Sequence, residues 1–198
     1  HTIVSDVGST KQSALAAFAE HLGAHLPRCV AAHPIAGSDR HGALAAQFGL
    51  YQDKKLIICP HAQQDAGALE TVETLWQAVG AHTYRMSAAT HDAIFAAVSH
   101  MPHMLAYAYV HQIAEHPDGQ TYLDFAASGF RDFTRIAASH PAIWTDVSFA
   151  NQDSLLQLID AQQQELQRLK ALILAGGAKA MYAKCAPAHQ QPHDWPPP

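Results

Sequence analysis

Apolar and polar positions change rhythm once along this 198-residue chain, near Ser87. Before that point, short unbroken apolar runs alternate with longer periodic ones. "TIVSDV" predicts a short strand, and "KQSALAAFAEHLG" an amphipathic helix closed by Gly23. "RCVAAHP" and "KKLIICP" predict two more strands, the second ended by Pro60. "DAGALETVETLWQAVG" carries Leu69, Val72, Leu75, Trp76 and Val79 at helical spacing and stops at Gly80. "HTYRMS" completes the series as a fourth strand. Strands that are apolar throughout need cover on both faces, so a parallel α/β sheet is expected here.

After Ser87 the pattern is helical. "AATHDAIFAAVSHMPHMLAYAYVHQIAEH" is interrupted by Pro102, which removes a backbone donor and predicts a kink. "TYLDFAASGF" and "RDFTRIAASHPAIWTDV" predict shorter helices broken at Gly129 and Pro141. A long helix follows, from about Asp153 to Ala175, and stops at Gly176-Gly177. Leu155 and Leu169 share one heptad line with Gln162 between them; Ile159, Leu166 and Ile173 form the next. Such a stripe packs either inside its own domain or against another subunit. The tail "APAHQQPHDWPPP" is polar and proline-rich and is expected to be flexible. The expected architecture is therefore an α/β partial sheet over 1–87, an all-α domain over 88–185, and a tail over 186–198.

Composition narrows the function. Hydrophobic residues are 48% of the chain, charged residues 15%, and the net charge is -5, with no basic run able to neutralise phosphates, so no nucleic-acid partner is expected. No apolar run reaches the length of a membrane span, and the start lacks the layout of a signal peptide. Cys29, Cys59 and Cys185 are too few and too scattered for a disulfide framework or a cysteine zinc site, which suggests a reducing cytoplasm. Fifteen histidines raise the possibility of a metal site, but ligation needs three or four converging donors, and no metal is expected.

Ligands of open α/β sheets bind at the carboxyl ends of strands. Two polar clusters sit there: "SDVGSTK", with Asp6, Ser9, Thr10 and Lys11, and "HPIAGSD", with His33, Ser38 and Asp39. A histidine at a strand end either accepts a proton from a substrate hydroxyl or caps a loop. In the helical part, His91 and His100 are nine residues apart, two and a half turns, and on an unbroken helix would face opposite ways. His100 and His103 lie close together at helical spacing. Arg131 and Arg135 stand among aromatic residues, a setting that suits capture of a carboxylate or an ordinary ion pair with Asp132.

"SDVGSTK", "HPIAGSD", "SHMPH" and "GFRDFTRIAASHPAIW", in this order and at these separations, closely resemble the prephenate (arogenate, cyclohexadienyl) dehydrogenase family, from Ile3 to about Ala175. The resemblance implies a Rossmann-like domain followed by a helical domain that forms a homodimer. It implies NAD- or NADP-dependent oxidative decarboxylation of prephenate to 4-hydroxyphenylpyruvate, or of arogenate to tyrosine. Carried onto this sequence, it implies that His33 hydrogen-bonds the ring hydroxyl of the substrate and that Ser9 reaches the same hydroxyl near the nicotinamide. Arg135 would bind the substrate carboxylate, and His103, with His100 beside it, would line the pocket. Ser38 and Asp39 fall in a loop near the substrate, His91 and Asp92 help order the site, and Trp144 approaches the pocket.

One departure from the pattern matters. A dinucleotide-binding half needs a glycine-rich turn after its first strand, and none of the eleven glycines forms a G-x-G. The expectation is therefore a fragment: the second part of a cofactor domain plus the helical domain. The alternative is a non-catalytic dimerisation or ligand-sensing module that keeps the substrate pocket.

Overall fold

The computed structural model describes residues 2–37 and 43–191. It divides into two compact units, His1–Leu155 and Leu156–Pro198.

The first unit begins with a four-stranded sheet in the order β1 (Val4–Ser5), β2 (Cys29–Ile35), β3 (Lys55–Cys59), β4 (His82–Arg85). β1 pairs with β2 in parallel, and so does β3 with β4. Each of these pairs is joined through a crossover helix, α1 (Gln12–His21) and α2 (Ala66–Ala78). The expectation of an all-parallel sheet fails at the centre, where β2 and β3 are antiparallel with His33 opposite Ile57. The reason is the connection: between β2 and β3 the described residues hold only a three-residue 3-10 turn, Ala43–Ala45. With no crossover helix among the described residues of that connection, the chain returns in the opposite direction.

Both faces of the sheet are covered, which explains its unbroken apolar strands. Val30, Ala32, Leu56 and Ile58 pack with Ala68, Leu69 and Val72 of α2. On the other face, Ala31, Ile57 and Cys59 meet Leu15 and Phe18 of α1, and Ala88 and Phe95 of α3 (Ala88–Phe95). Asp65 caps α2 by accepting from the Ala68 N–H, and Ser87 caps α3 by accepting from the Thr90 N–H. Strand alternation then has a consequence for chemistry. His33 lies two residues from both Ala31 and Ile35, so it shares their face and looks toward α3.

The helices that follow are α4 (Met101–Ala114), α5 (Gly119–Asp124), α6 (Ser128–Thr134), α7 (Pro141–Ala150) and α8 (Gln152–Leu174). The interruption expected at Pro102 is present in a particular form. A π turn, Ala96–His100, joins α3 to α4, and Pro102 sits in the first turn of α4, where a missing N–H costs little. The break expected at Gly129 falls instead at Phe125–Ala127, and Gly129 lies within α6. Pro141 opens α7 rather than ending a helix.

The second unit holds the remainder of α8 and α9 (Ala178–His189). Gly176 adopts φ +64°, the left-handed conformation that ends a helix, and the Gly177 N–H returns to the Leu172 carbonyl at 3.1 Å. Glu165 ties α8 to α9 through Lys184, at 2.6 Å. Leu166, Ile173, Leu174 and Tyr182 are exposed. Among the described residues, no helix is long and apolar enough to cross a membrane.

Candidate active site

The site grows from α3. Ala88, His91, Asp92 and Phe95 follow the helical repeat along one face; Ala88 and Phe95 pack on the sheet, and that packing carries His91 and Asp92 inward. Both are 0% exposed. Burying a carboxylate is costly unless donors surround it. Asp92 Oδ1 accepts from the backbone N–H of Lys11 and from His91 Nδ1, both at 2.8 Å, and Oδ2 accepts from the Gln12 N–H at 2.9 Å. Burial pulls the Asp92 carboxyl up, but these donors outweigh it and hold the group below the ordinary carboxylate range.

His91 continues the chain. With Nδ1–H given to Asp92, its Nε2 faces His33 Nδ1 at 2.8 Å. Phe95 lies against both rings, with centroids 5.0 Å from His33 and 4.5 Å from His91. Burial, aided by the charges of His91 and Lys11, pushes the pKa of His33 down to about 3. The ring is therefore neutral near pH 7. When its Nδ1–H is donated to His91, its Nε2 is left as a bare acceptor.

The loop after β1 is pinned beside this histidine. Lys11, itself buried, donates through Nζ to Asp6 and to the Ala32 carbonyl, and Asp6 Oδ1 accepts from the Ala32 N–H at 3.0 Å. Burial lowers the Lys11 pKa, while the adjacent Asp6 carboxylate opposes the shift. Ser9 is half-buried on that loop, and its hydroxyl makes no hydrogen bond to a described residue. Gly8 fits closely here: a Cβ on it would come within 3.2 Å of Asp6 Oδ2.

A second arm starts at the π turn. On a straight α-helix His91 and His100 would diverge; the wider π turn rotates each residue by less, and both histidines end up beside Asp92. Burial lowers the His100 pKa to about 4. His103 donates Nδ1–H to the Ser99 carbonyl at 2.8 Å and stacks on Trp144 of α7 at 3.4 Å, while the His100 ring meets the same indole edge-on at 6.1 Å. Burial lowers the His103 pKa as well, and the charge of Arg135 adds to the effect. Arg135 is exposed in a 3-10 turn after α6 and makes no ion pair with a described residue, Asp132 included.

Of the residues singled out in the sequence, His33, His91 and Asp92 form one hydrogen-bonded line, His100, His103 and Trp144 gather in a second group, and Arg135 acts on that group through its charge. Ser38 and Asp39 lie outside the described residues. The sequence reading missed Asn151, the residue that joins α7 to α8; it is buried and donates to the Asp92 carbonyl at 2.8 Å. An asparagine between two helical runs is a visible cap signal, but its reach across 59 residues is not. Among the described residues, no group of three or more His, Cys, Asp or Glu side chains is arranged to hold a metal ion.

For a dinucleotide cofactor, the small residues Gly8, Ser9 and Thr10 after β1 suit contact with one end of the molecule. Its pyrophosphate would need a glycine turn, and this sequence has no G-x-G.

Two of the three depressed histidines, His33 and His100, have a consequence for stability. Between about pH 6.5 and 4 the unfolded chain binds protons at positions 33 and 100 that the folded chain refuses. Stability therefore rises with pH across this window and is lost as pH falls through it. Urea midpoints measured from pH 7 to 4.5 should fall by an amount equivalent to roughly 1 kcal/mol per pH unit for each histidine. His100→Gln should flatten the slope, and an unchanged slope in that variant would exclude His100 as a source.

The family model described as "Prephenate dehydrogenase, nucleotide-binding domain" matches residues 1–85, and "Prephenate dehydrogenase, dimerization domain" matches 87–184. The prephenate dehydrogenase of Bacillus subtilis is 34% identical over 182 residues, 91% of this chain and 48% of that protein. The cyclohexadienyl dehydrogenase of Zymomonas mobilis is 33% identical over 173 residues, 86% of this chain and 58% of that protein. The chain thus spans about half the length of the curated relatives it matches. A crystal structure of prephenate dehydrogenase from A. aeolicus, in complex with hydroxyphenyl propionate and NAD+, aligns with a TM-score of 0.86 at 32% identity, covering 95% of this chain and 65% of that one. Synechocystis arogenate dehydrogenase aligns at 0.79 and 27% identity, covering 95% and 67%.

Proposed function

From its membership of the prephenate dehydrogenase family, to which this chain belongs, we propose that it carries the substrate-handling part of a cytoplasmic, homodimeric dehydrogenase of tyrosine biosynthesis. The reaction is the oxidative decarboxylation of prephenate or arogenate. The observation that carries this reading is the line Asp92–His91–His33, a buried carboxylate acting through one imidazole on another at a strand end.

NAD or NADP, when bound, supplies the hydride acceptor. The chain's own residues do the rest. His33 Nε2 accepts a hydrogen bond from the hydroxyl on the ring carbon that loses hydride, and takes up its proton as the carbon–oxygen bond gains double-bond character. A lone desolvated imidazole resists that charge. His91 shares it through the 2.8 Å bond, and the ionised Asp92 offsets it, as a carboxylate behind a histidine does in hydrolases. Ser9 gives the same hydroxyl a second polar neighbour and meets the nicotinamide end of the cofactor. Trp144 and His103 form a flat wall for the ring, and Arg135 anchors a carboxylate. The bond from the ring to its carboxylate then breaks and carbon dioxide leaves; the electron pair of that bond makes the ring aromatic, and the ring oxygen takes its proton back from His33. The homodimer is supported by the match to a dimerization domain and by the exposed apolar residues of α8 and α9.

The test is spectrophotometric. The intact protein, given prephenate or arogenate with NAD+ or NADP+, should reduce the nicotinamide and release carbon dioxide one for one. A second reading is a ligand-sensing module without catalysis. It predicts prephenate binding with no nicotinamide reduction, so the same experiment separates the two.

Arg135 gives a binding prediction. Prephenate carries two carboxylates and the chain is net negative, so capture needs a local cation. A guanidinium offers two donors in one plane; an ammonium offers charge without the fork. Arg135→Ala should weaken prephenate binding about tenfold or more, and Arg135→Lys should recover only part of it. Calorimetric titration of both variants checks this, and normal binding by Arg135→Ala would pass the role to Arg131.

A further inference from the structure

We propose that Asn151 is a positioning residue that fixes His100 as a neutral imidazole with its proton on Nε2, making it a hydrogen-bond donor for a substrate oxygen. The substrate part of this inference rests on the function proposed above; the tautomer does not.

The argument begins with the carbonyl of Asp92. A carbonyl can only accept, so the atom of Asn151 that lies 2.8 Å from it must be the amide nitrogen. That orients the whole side chain without ambiguity. The same nitrogen lies 3.3 Å from His100 Nδ1. An amide nitrogen has two hydrogens: one goes to Asp92, and the other points to His100. His100 Nδ1 must therefore present a lone pair, and a neutral ring with a bare Nδ1 carries its hydrogen on Nε2. Burial of His100 keeps the ring neutral near pH 7. Nε2 has no hydrogen-bond acceptor among the described residues, so its donor is available.

The second consequence is a pairing of opposites. His33 is set by His91 to accept through Nε2, and His103 gives Nδ1–H to Ser99 and accepts through Nε2. His100 alone among the three is set to donate through Nε2. Three histidines near one another are chemically distinct because each has a different partner at Nδ1: an imidazole, a carboxamide and a backbone carbonyl. Asn151 also ties the Asp92 backbone to the junction of α7 and α8, so one side chain couples the relay to the donor.

The test reads tautomers directly, in the chain labelled with nitrogen-15 at its histidine rings. Long-range proton–nitrogen spectra, with His100 assigned by its absence in His100→Gln, should show a protonated Nε2 and a bare Nδ1. Asn151→Asp has the same shape but can only accept, so His100 should gain a proton on Nδ1. A wild-type His100 protonated on Nδ1, or an Asn151→Asp variant that keeps Nδ1 bare, would overturn the proposal. If Asn151→Asp loses its fold by circular dichroism, Asn151→Ala serves. It should replace the single tautomer by a mixture, and an unchanged single tautomer overturns the proposal equally. In turnover, Asn151→Asp should lower kcat/KM for prephenate roughly tenfold, the scale of one lost charge-assisted hydrogen bond. In a His100→Gln background, where the amide donates whatever stands at 151, the loss should be much smaller. Equal losses in both backgrounds would mean that Asn151 does not act through His100. Because the spectra need no substrate, they decide the tautomer even for a protein that leaves prephenate untouched, an outcome that would overturn the functional reading instead.

Discussion

His33→Asn is expected to lower prephenate turnover by a factor of about a hundred or more, with a smaller change in KM. Loss of a positioned acid–base group costs roughly that much. The choice of asparagine makes the result interpretable. Its amide nitrogen falls near the position of imidazole Nδ1 and can still donate to His91 Nε2, so the 2.8 Å bond that fixes the relay survives. What disappears is Nε2, the atom with no partner among the described residues. The variant should fold, should keep the pH-dependent stability contributed by His100, and should bind prephenate. His33→Gln is the complementary probe, since its amide reaches toward the Nε2 position without basicity; it too should be slow. Steady-state rates with both variants check the expectation, and near-normal turnover by His33→Asn would remove His33 from the chemistry.

How much of this was legible in the sequence depends on the range of the interaction. The strands and helices before Ser87 were read within a residue or two, because burial on both sheet faces writes itself as unbroken apolar runs such as "LIIC". The direction of β3 was not legible: it depends on whether a helix forms between Gly37 and Lys55, and the glycines and polar residues there carry no period. His33 was visible as a polar residue ending an apolar strand. Its partner was not, because the distance from His33 to His91 is 58 residues of chain and 2.8 Å of space.

The helical half shows the same limit from the other side. Helical arithmetic placed His91 and His100 on opposite faces, and the arithmetic was sound for a uniform α-helix. Pro102 cannot donate its N–H, and the helix before it widens into a π turn over Ala96–His100. That local event redirects His100 toward Asn151. A proline in a sequence signals that something happens; whether the helix kinks, ends or widens is decided by what is packed around it. Arg135 was singled out for its aromatic neighbours, yet it is exposed, and its electrostatic effect on His103 connects it to the site better than Phe130 or Phe133 does.

Asp92→Asn is expected to damage stability and turnover together. The carboxylate receives three donors: His91 Nδ1–H and the backbone N–H groups of Lys11 and Gln12. A carboxamide keeps one accepting oxygen and adds an NH2 that must face one of those donors, at a site 0% exposed. An unsatisfied buried donor costs about 1–3 kcal/mol, and breaking a buried charged pair about 3–5 kcal/mol, so a loss of roughly 3 kcal/mol in urea unfolding is expected at pH 7. The sign of the pH dependence follows from the depressed pKa. The carboxylate's contribution is complete above the unfolded value near 4 and fades as pH falls through the lower folded value. The gap between parent and variant should therefore narrow below about pH 4. Turnover should fall at least a hundredfold even at temperatures where the variant is folded, because the amide NH2 can force His91 to present a lone pair at Nδ1 and a hydrogen at Nε2. His33 must then accept from His91 through Nδ1, and its own proton moves to Nε2, the face that has to be bare to receive the substrate's proton. Urea unfolding at pH 7 and at pH 3.5, with steady-state rates on the folded variant, tests both parts. A variant as stable as the parent at pH 7 would show that Asp92 does not hold the site together, and a folded variant with normal turnover would show that the state of His91 has no bearing on the chemistry at His33.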